Sequence, residues 1–463
     1  MPSPMPVWLS ENEIDPEWVQ MHTKLPCVAV QVEDISNQGR RAEQVRNGAT
    51  LRLKIQLESN SDNDSSTNLH SNQKPSFRNI IIKQVPPRGE TLSQRLGLAR
   101  EALFYSQLGP DLDASNNGDD ETMNTLPKIY YAWGDMTTGQ KVVLMEDLSC
   151  GSSSLPSYVD SGIFFGPGNP NNWTRDLKTI IARSYSCPGD DKALSPPSSH
   201  QVAKVTFTAV ARVHAVFWRQ TSLLDHHWLR GSQWLQGQGK DSWMASQKLI
   251  QKIWKTHGGY EESSSSSSSA TSRIQWDSVV YKATDKAVRG ISWEAHMERL
   301  NVNKHWTLVH GDFWPGNVMW LVPSSKNNDN TRMTSHSSII PTRKTEDSII
   351  KLLDWEMVGL GSGPQDLGQY ILSNMEPSER RSCEKQLIQN YHQELIRLGV
   401  RDVSWEYCWD EYRIGGLERW LWFLVYFTGQ DNMLDWAQFF HDQISAFMKD
   451  HDLTFENIVQ PRP

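Results

Sequence analysis

At roughly 150 residues per domain, a chain of 463 residues has room for about three domains or one large two-lobed unit. Its 46 Lys and Arg stand against 54 Asp and Glu, and the resulting formal charge of −8 argues against a protein whose main task is to coat nucleic acid or an anionic membrane. Only 38% of the residues are hydrophobic, and the longest apolar run, Trp420 to Phe427, falls far below the roughly 20 residues of a membrane span, so no transmembrane helix is expected. The start, Met1-Pro-Ser-Pro-Met-Pro, lacks the basic and apolar regions of a secretory signal, and a cytoplasmic location is the expectation. The five cysteines (Cys27, Cys150, Cys187, Cys383 and Cys408) are odd in number and contain no CxxC pair; reduced thiols are expected, not a disulfide framework or a zinc site.

In chain order, strands are predicted over Val28–Val32, over the alternating Leu51–Leu57, and over Ile80–Val85. A helix is predicted over Ser93–Leu108, ended by Gly109-Pro110, and a further strand over Lys141–Met145. After Leu148 the pattern turns helical, with helices at about Gln201–Gln220, Ser378–Leu398 and Leu417–Lys449, the last broken near Gly429. A strand pair, Val318–Val322 and Ile349–Leu353, interrupts that region. Five segments rich in Ser, Asn and Asp (58–76, 111–124, 186–200, 261–272 and 323–347) cannot build a packed core and read as insertions in surface loops. The fold class is therefore α+β, with a small antiparallel-sheet lobe over 1–148 and a mostly helical lobe over 149–463.

The most informative stretch is Leu308-Val-His-Gly-Asp-Phe-Trp-Pro-Gly-Asn-Val-Met-Trp. It sets Asp312 and Asn317 five residues apart in a loop before a strand, and a hairpin returns Asp354, in Leu352-Leu-Asp-Trp-Glu, beside that loop. Phosphoryl transfer needs a hard cation on oxygen ligands and a carboxylate that orients the attacking hydroxyl. Asp312 fits the second task, and Asn317 with Asp354 the first. Upstream, Lys83 closes a run of three isoleucines, and a buried ammonium without an anion costs several kcal/mol. On the predicted helix, Glu101 shares a face with Gly97, Leu98, Phe104, Tyr105 and Leu108, so it points inward and can be that anion. The strand Val142-Val-Leu-Met-Glu-Asp-Leu then runs into an acidic linker against which an adenine ring could lie.

From about Ile80 to Tyr370 these motifs, in this order, resemble the protein-kinase-like small-molecule phosphotransferases: the aminoglycoside phosphotransferase, choline kinase and ecdysteroid-kinase-like (CHK) families. The resemblance implies a kinase-like bilobal fold and ATP with magnesium as cofactors. It implies Lys83 on the α and β phosphates with Glu101 paired to it, Met145 guarding the adenine pocket, and the Glu146 carbonyl and Leu148 amide as hinge contacts. It further implies Asp312 as catalytic base, Asn317 and Asp354 as magnesium ligands, Asp366 as a brace for the catalytic loop, and His310 as a loop-bracing residue. His214, flanked at helical spacing by Val210, Phe217 and Trp218, reads as a core histidine. The phosphate-covering loop is the poorest match, since Gly39 and Gly48 bracket no G-x-G-x-x-G, and Gly359-Leu-Gly-Ser-Gly reads as a flexible turn.

A protein-kinase assignment is disfavoured: Trp314 stands where a lysine would follow the base, Gly311 replaces the arginine of H-R-D, and Asp354 heads D-W-E. Only eleven residues separate Asp354 from Asp366, too few for a peptide-binding activation loop. The expected acceptor is a small-molecule alcohol, with no nucleic acid, membrane or obligate protein partner. Trp405, Trp409, Trp420, Trp422 and Trp436, interleaved with Glu411, Glu418, Asp431 and Asp435, either pack helices, the favoured reading, or wall a pocket for a cationic or large apolar acceptor. A nucleotide-binding scaffold without activity is the rival reading.

Overall fold

A computed structural model describes residues 9–36, 49–58, 76–85, 92–114, 125–148, 158–165, 196–258, 273–302, 305–321 and 350–462. The Gly39–Gly48 bracket, most of the five polar insertions, Cys150 and Cys187 lie outside the described residues. The chain divides into two compact units: residues 1–159 with 319–356, and residues 160–318 with 357–463.

The first unit is built on a five-stranded antiparallel sheet, order β1-β2-β3-β5-β4, from β1 (Cys27–Asp34), β2 (Ala49–Leu57), β3 (Ser76–Val85), β4 (Ile129–Asp135) and β5 (Gln140–Glu146). Successive side chains on a strand point to opposite faces. Leu51, Leu53, Ile55, Ile80, Ile82, Val142 and Leu144 therefore share one face, where they form a core with Leu9, Ile14 and Val19. Val19 lies on the helix Pro16–Thr23, whose first turn Asp15 caps by accepting from the Trp18 amide. The opposite face carries Lys83 and Val85 beside Val143 and Lys141, since Lys83 pairs with Val143 and Val85 with Lys141. The unit also holds most of a three-stranded sheet, order β6-β8-β9, from β6 (Tyr158–Asp160), β8 (Val318–Leu321) and β9 (Ile350–Leu352).

The predicted helix Ser93–Leu108 is interrupted. It forms as Leu92–Leu96 and Arg100–Gln107, because Gly97 adopts a left-handed φ of +70° between them. Gly109-Pro110 does not terminate helical structure; proline is tolerated in a first helical turn, and a short helix runs over Gly109–Ala114, inside what the sequence suggests is an insertion.

The second unit is mostly helical. Ser198 caps the helix Ser199–Val216 in a reciprocal box with Gln201, so helix begins where the polar segment 186–200 ends. Pro377–Arg397, Gly416–Thr428 and Leu434–Asp450 follow the predicted helices closely, with the break near Gly429. The helix Gly363–Asn374 is buried along almost its whole length and is the element against which the loop after β7 (Thr307–Val309) is fixed. β7 pairs antiparallel with β10 (Gly359–Gly361). The expected flexible turn at Gly359 is thus a strand. The absence of side chains lets the backbone close up, since a Cβ at Gly359 would lie 2.5 Å from the Arg230 carbonyl oxygen.

The aromatic residues near the C-terminus chiefly pack helices together. Trp420 packs against Phe440 with ring centroids 4.2 Å apart and donates its indole N–H to the Gln369 carbonyl, Trp436 is buried, and Trp405 stacks on Trp409. Cys27, Cys383 and Cys408 are free and buried. No described helix is long and apolar enough to cross a membrane.

Candidate functional site

The first unit brings Lys83, Glu101 and Asp354 together. Lys83 Nζ donates to Glu101 at 2.9–3.0 Å and to Asp354 Oδ1 at 2.5 Å, and lies 3.2 Å from Glu356 Oε1. Burial alone would pull the Lys83 ammonium down, but Asp354, Glu101 and Glu356 outweigh it and hold its pKa well above the ordinary lysine range. Glu101 is 1% exposed on the inner face of Arg100–Gln107, as the helical spacing required. The Asp-Trp-Glu turn is set by Trp355, fully buried and stacked on Phe104 of that helix at 4.2 Å, and Asp354 takes a left-handed φ of +62° that presents its carboxylate to Lys83.

A second lysine completes this cluster. Lys141 of β5, 1% exposed, donates to both Glu101 Oε2 and Glu356 Oε1. Sequence reasoning passed over it and over Glu356. Strand parity was the available signal, because pairing β3 with β5 places position 141 on the face of Lys83. Among the described residues, Glu101, Asp354 and Glu356 are the acidic trio close enough to share a cation, with oxygens within 4.8 Å of one another. An all-oxygen set is the chemistry that magnesium favours.

Along the same unit, Met145 is nearly buried on β5 and pairs with Ile81 and Ile129. Glu146 Oε1 accepts from the Lys128 amide at 2.8 Å, and the Leu148 carbonyl accepts from the Tyr158 amide at 2.9 Å. Between them Asp147 is fixed by Arg52 at 2.7 Å. These contacts hold the end of the strand.

The second unit carries Asp312 in the loop between β7 and β8. Asp366, buried on Gly363–Asn374, accepts from the His310 amide at 2.7 Å and the Gly311 amide at 3.2 Å, so one carboxylate clamps two successive loop amides. His310 is fully buried, with Nδ1 3.4 Å from the Asp312 amide, and is a loop-bracing group. The Asp312 carboxylate accepts from Asn317 Nδ2 at 3.3 Å and from Gln369 Nε2 at 3.3 Å, and Asn317 also donates to the Asp312 carbonyl at 2.9 Å. Arg419 donates to the Gly311 carbonyl; burial lowers its guanidinium to about 10, against the pull of Asp312 and Asp366. His214 is more than packing. It lies 3.5 Å from Asp366 and hydrogen-bonds Tyr391 at 2.8 Å, forming a further layer behind the brace. Gln369 and Arg419 are loop-fixing residues that the sequence did not expose, although Gln369 follows Asp366 by three positions on one helix face.

A cavity opens beside this loop, lined by Arg230, His296, Gly311, Gln369, Arg419 and Arg462 among others. The acidic wall considered for a cationic acceptor does not form here. Glu411 and Glu418 are buried and taken up by Arg299 and Arg462, at 3.1 and 3.2 Å for Glu411 and at 3.9 and 2.6 Å for Glu418. Burial alone would raise the Glu411 carboxyl, but Arg462 and Arg299 hold it below the usual range. His296 is pushed down to about 4 by burial, with help from Arg462 and Arg230, so its imidazole is neutral near pH 7.

No protein family's sequence model matches this chain, and no curated protein matches it. Among solved structures it is similar to an ethanolamine kinase of Plasmodium vivax, with 10% identity, a TM-score of 0.44, and coverage of 90% of this chain and 81% of that one. It is also similar to a microcompartment-associated aminopropanol kinase, at 10% identity and a TM-score of 0.43, covering 94% and 98%. A choline/ethanolamine kinase family protein from Mesorhizobium loti follows at 10% identity and a TM-score of 0.38, covering 92% and 90%.

Proposed function

We propose that the chain is a small-molecule phosphotransferase that moves the γ-phosphate of ATP, with magnesium, onto a hydroxyl group. The observation that carries this reading is Lys83 held at 2.5 Å by Asp354 and at 2.9 Å by Glu101 on one face of an antiparallel sheet. A half-buried lysine whose anionic neighbours differ in exposure is suited to exchange the more exposed one for phosphate oxygens while a sealed one keeps it in place. The Asp354 side chain is 29% exposed and that of Glu101 is 1%, which makes Asp354 the exchangeable partner.

In this reading Asp312 orients the acceptor hydroxyl and takes its proton late in an in-line transfer. Its amide donors, Asn317 and Gln369, fix the carboxylate and stabilise its charge. Asp354, with Glu356 beside it, is the group that would hold magnesium. When bound, the ion screens the charge of the phosphate oxygens. Met145, the Glu146 carbonyl and the Leu148 amide would receive the adenine. The cavity beside Gly311 and Gln369 is the proposed entry for a hydroxylated acceptor.

Thermal-shift measurements with and without Mg-ATP, followed by phosphate transfer to a panel of alcohols, test the proposal. Stabilisation by Mg-ATP and transfer to one class of alcohol, both abolished by chelating the metal, are the expected results. Binding without transfer to any acceptor would favour a nucleotide-binding scaffold, and no binding at all would end the nucleotide reading.

A further inference from the structure

Lys141 is the more deeply buried of the two lysines in the cluster, 1% exposed against 24% for the side chain of Lys83. Both ammonium groups touch the same two carboxylates. Lys83 lies 2.9 Å from Glu101 Oε2 and 3.2 Å from Glu356 Oε1, and Lys141 donates to these same two oxygens. Asp354 belongs to Lys83 alone among these two. The cluster thus holds two cations and three anions, and its parts differ in exposure. Lys83, Asp354 and Glu356 are partly exposed, whereas Lys141 and Glu101 are sealed in.

This asymmetry has a chemical use. An ammonium that turns from Asp354 to phosphate oxygens while it stays with Glu101 shares its charge with a new anion, and a buried carboxylate left short of counter-charge is costly. Glu101, at 1% exposure, has no water to turn to. A second cation that stays behind removes the obstacle. We propose that Lys141 is a positioning residue that remains bonded to Glu101 and Glu356 while Lys83 and Asp354 exchange their mutual contact for the magnesium nucleotide. By holding Glu356 it also fixes the turn Asp354-Trp355-Glu356 through which Asp354 is aimed. This inference rests on the nucleotide reading of Lys83 given above.

The competing view is that Lys141 only neutralises charge for the sake of folding. The two differ in what the folded variant does. Lys141→Met, Lys141→Gln and Lys141→Arg would be compared with the wild-type chain by calorimetric titration with Mg2+ and the non-hydrolysable analogue AMP-PNP, well below each protein's measured Tm. A purely structural lysine lowers Tm and leaves the Kd of the folded protein alone. A positioning lysine raises that Kd by about 10–100-fold in the Met and Gln variants, the range seen when an outer partner of a metal ligand is removed, and the Arg variant, which keeps the charge, recovers part of the loss. Where Lys141→Met does not fold, Lys141→Gln, which retains a donor, is read in the same way. Wild-type binding with an unchanged Kd in the folded Met or Gln variant overturns the proposal and leaves the proposed function standing. Failure of the wild-type chain itself to bind Mg2+ and AMP-PNP overturns both.

Discussion

Replacing Gly311 by alanine is the sharpest probe of the loop that carries Asp312. Gly311 has a φ of +77°, its amide donates to Asp366, and its carbonyl accepts from Arg419, so its backbone is held on both sides. A Cβ built there would stand 2.2 Å from the Met357 carbonyl oxygen, whereas ordinary contact begins at 3.4 Å. An L-residue in the left-handed region costs about 1–2 kcal/mol by itself. Relief of the overlap must come from a retreat of the loop by about 1 Å, a displacement that can cost about 100-fold in turnover when it moves a reacting group. The expected outcome is a stability loss of about 1–3 kcal/mol by denaturant titration, a kcat lowered by about 100-fold on the best acceptor found in an alcohol screen, and an almost unchanged Kd for Mg-ATP. Gly311→Asn separates the two causes. Asparagine tolerates positive φ but carries the same Cβ, so it is expected to be as harmful as alanine. A Gly311→Ala enzyme with wild-type Tm and kcat would refute the close approach of Met357 and the argument that the loop backbone sets Asp312.

Further outcomes follow from the same geometry. Asp312→Asn should remove turnover by about 100- to 10,000-fold while leaving calorimetric nucleotide binding near wild type, because the amide can still accept from Gln369 but cannot take a proton; wild-type turnover would exclude Asp312 as the base. Lys83→Ala should lower kcat/KM for ATP by about 100-fold, and an unchanged value would remove Lys83 from phosphate contact. His296 supplies a pH dependence. Its folded pKa of about 4 lies below the usual 6.5, so the unfolded chain takes up a proton that the folded chain refuses, and stability falls as pH drops from about 6.5 to about 4. The loss is at most about 3 kcal/mol, reduced by the partial exposure of the ring, and His296→Phe should flatten this part of the denaturation profile.

The elements that follow a simple period were readable from the chain. Strand alternation in Leu51–Leu57 and the helical face of Glu101 led to the Lys83–Glu101 pair, because burial of a charge demands a partner in either case. The clamp of Asp366 on the loop amides was readable only through family resemblance, since no local pattern tells which backbone amides a carboxylate will accept from. Residues whose roles depend on lateral register or on helix crossing escaped. Lys141 stands in an apolar run, and its importance appears only once β3 is known to lie beside β5. Arg419 sits in a strongly apolar helix, where its sequence neighbours suggest packing, and its contact to Gly311 spans more than one hundred positions. Gly359 was misread because glycine signals a turn locally but also permits two backbones to approach, and here the second property decides.

The 2.5 Å contact between Lys83 and Asp354 bears on the sequence in which ligands can arrive. A nucleotide stripped of its metal would satisfy the lysine and leave the aspartate facing polyphosphate, like charge against like. A lone divalent cation would satisfy the aspartate and be repelled by the ammonium. Only the two together serve both sides of the latch, so under the proposed reading the ligand-free protein already discriminates against either half of its cosubstrate.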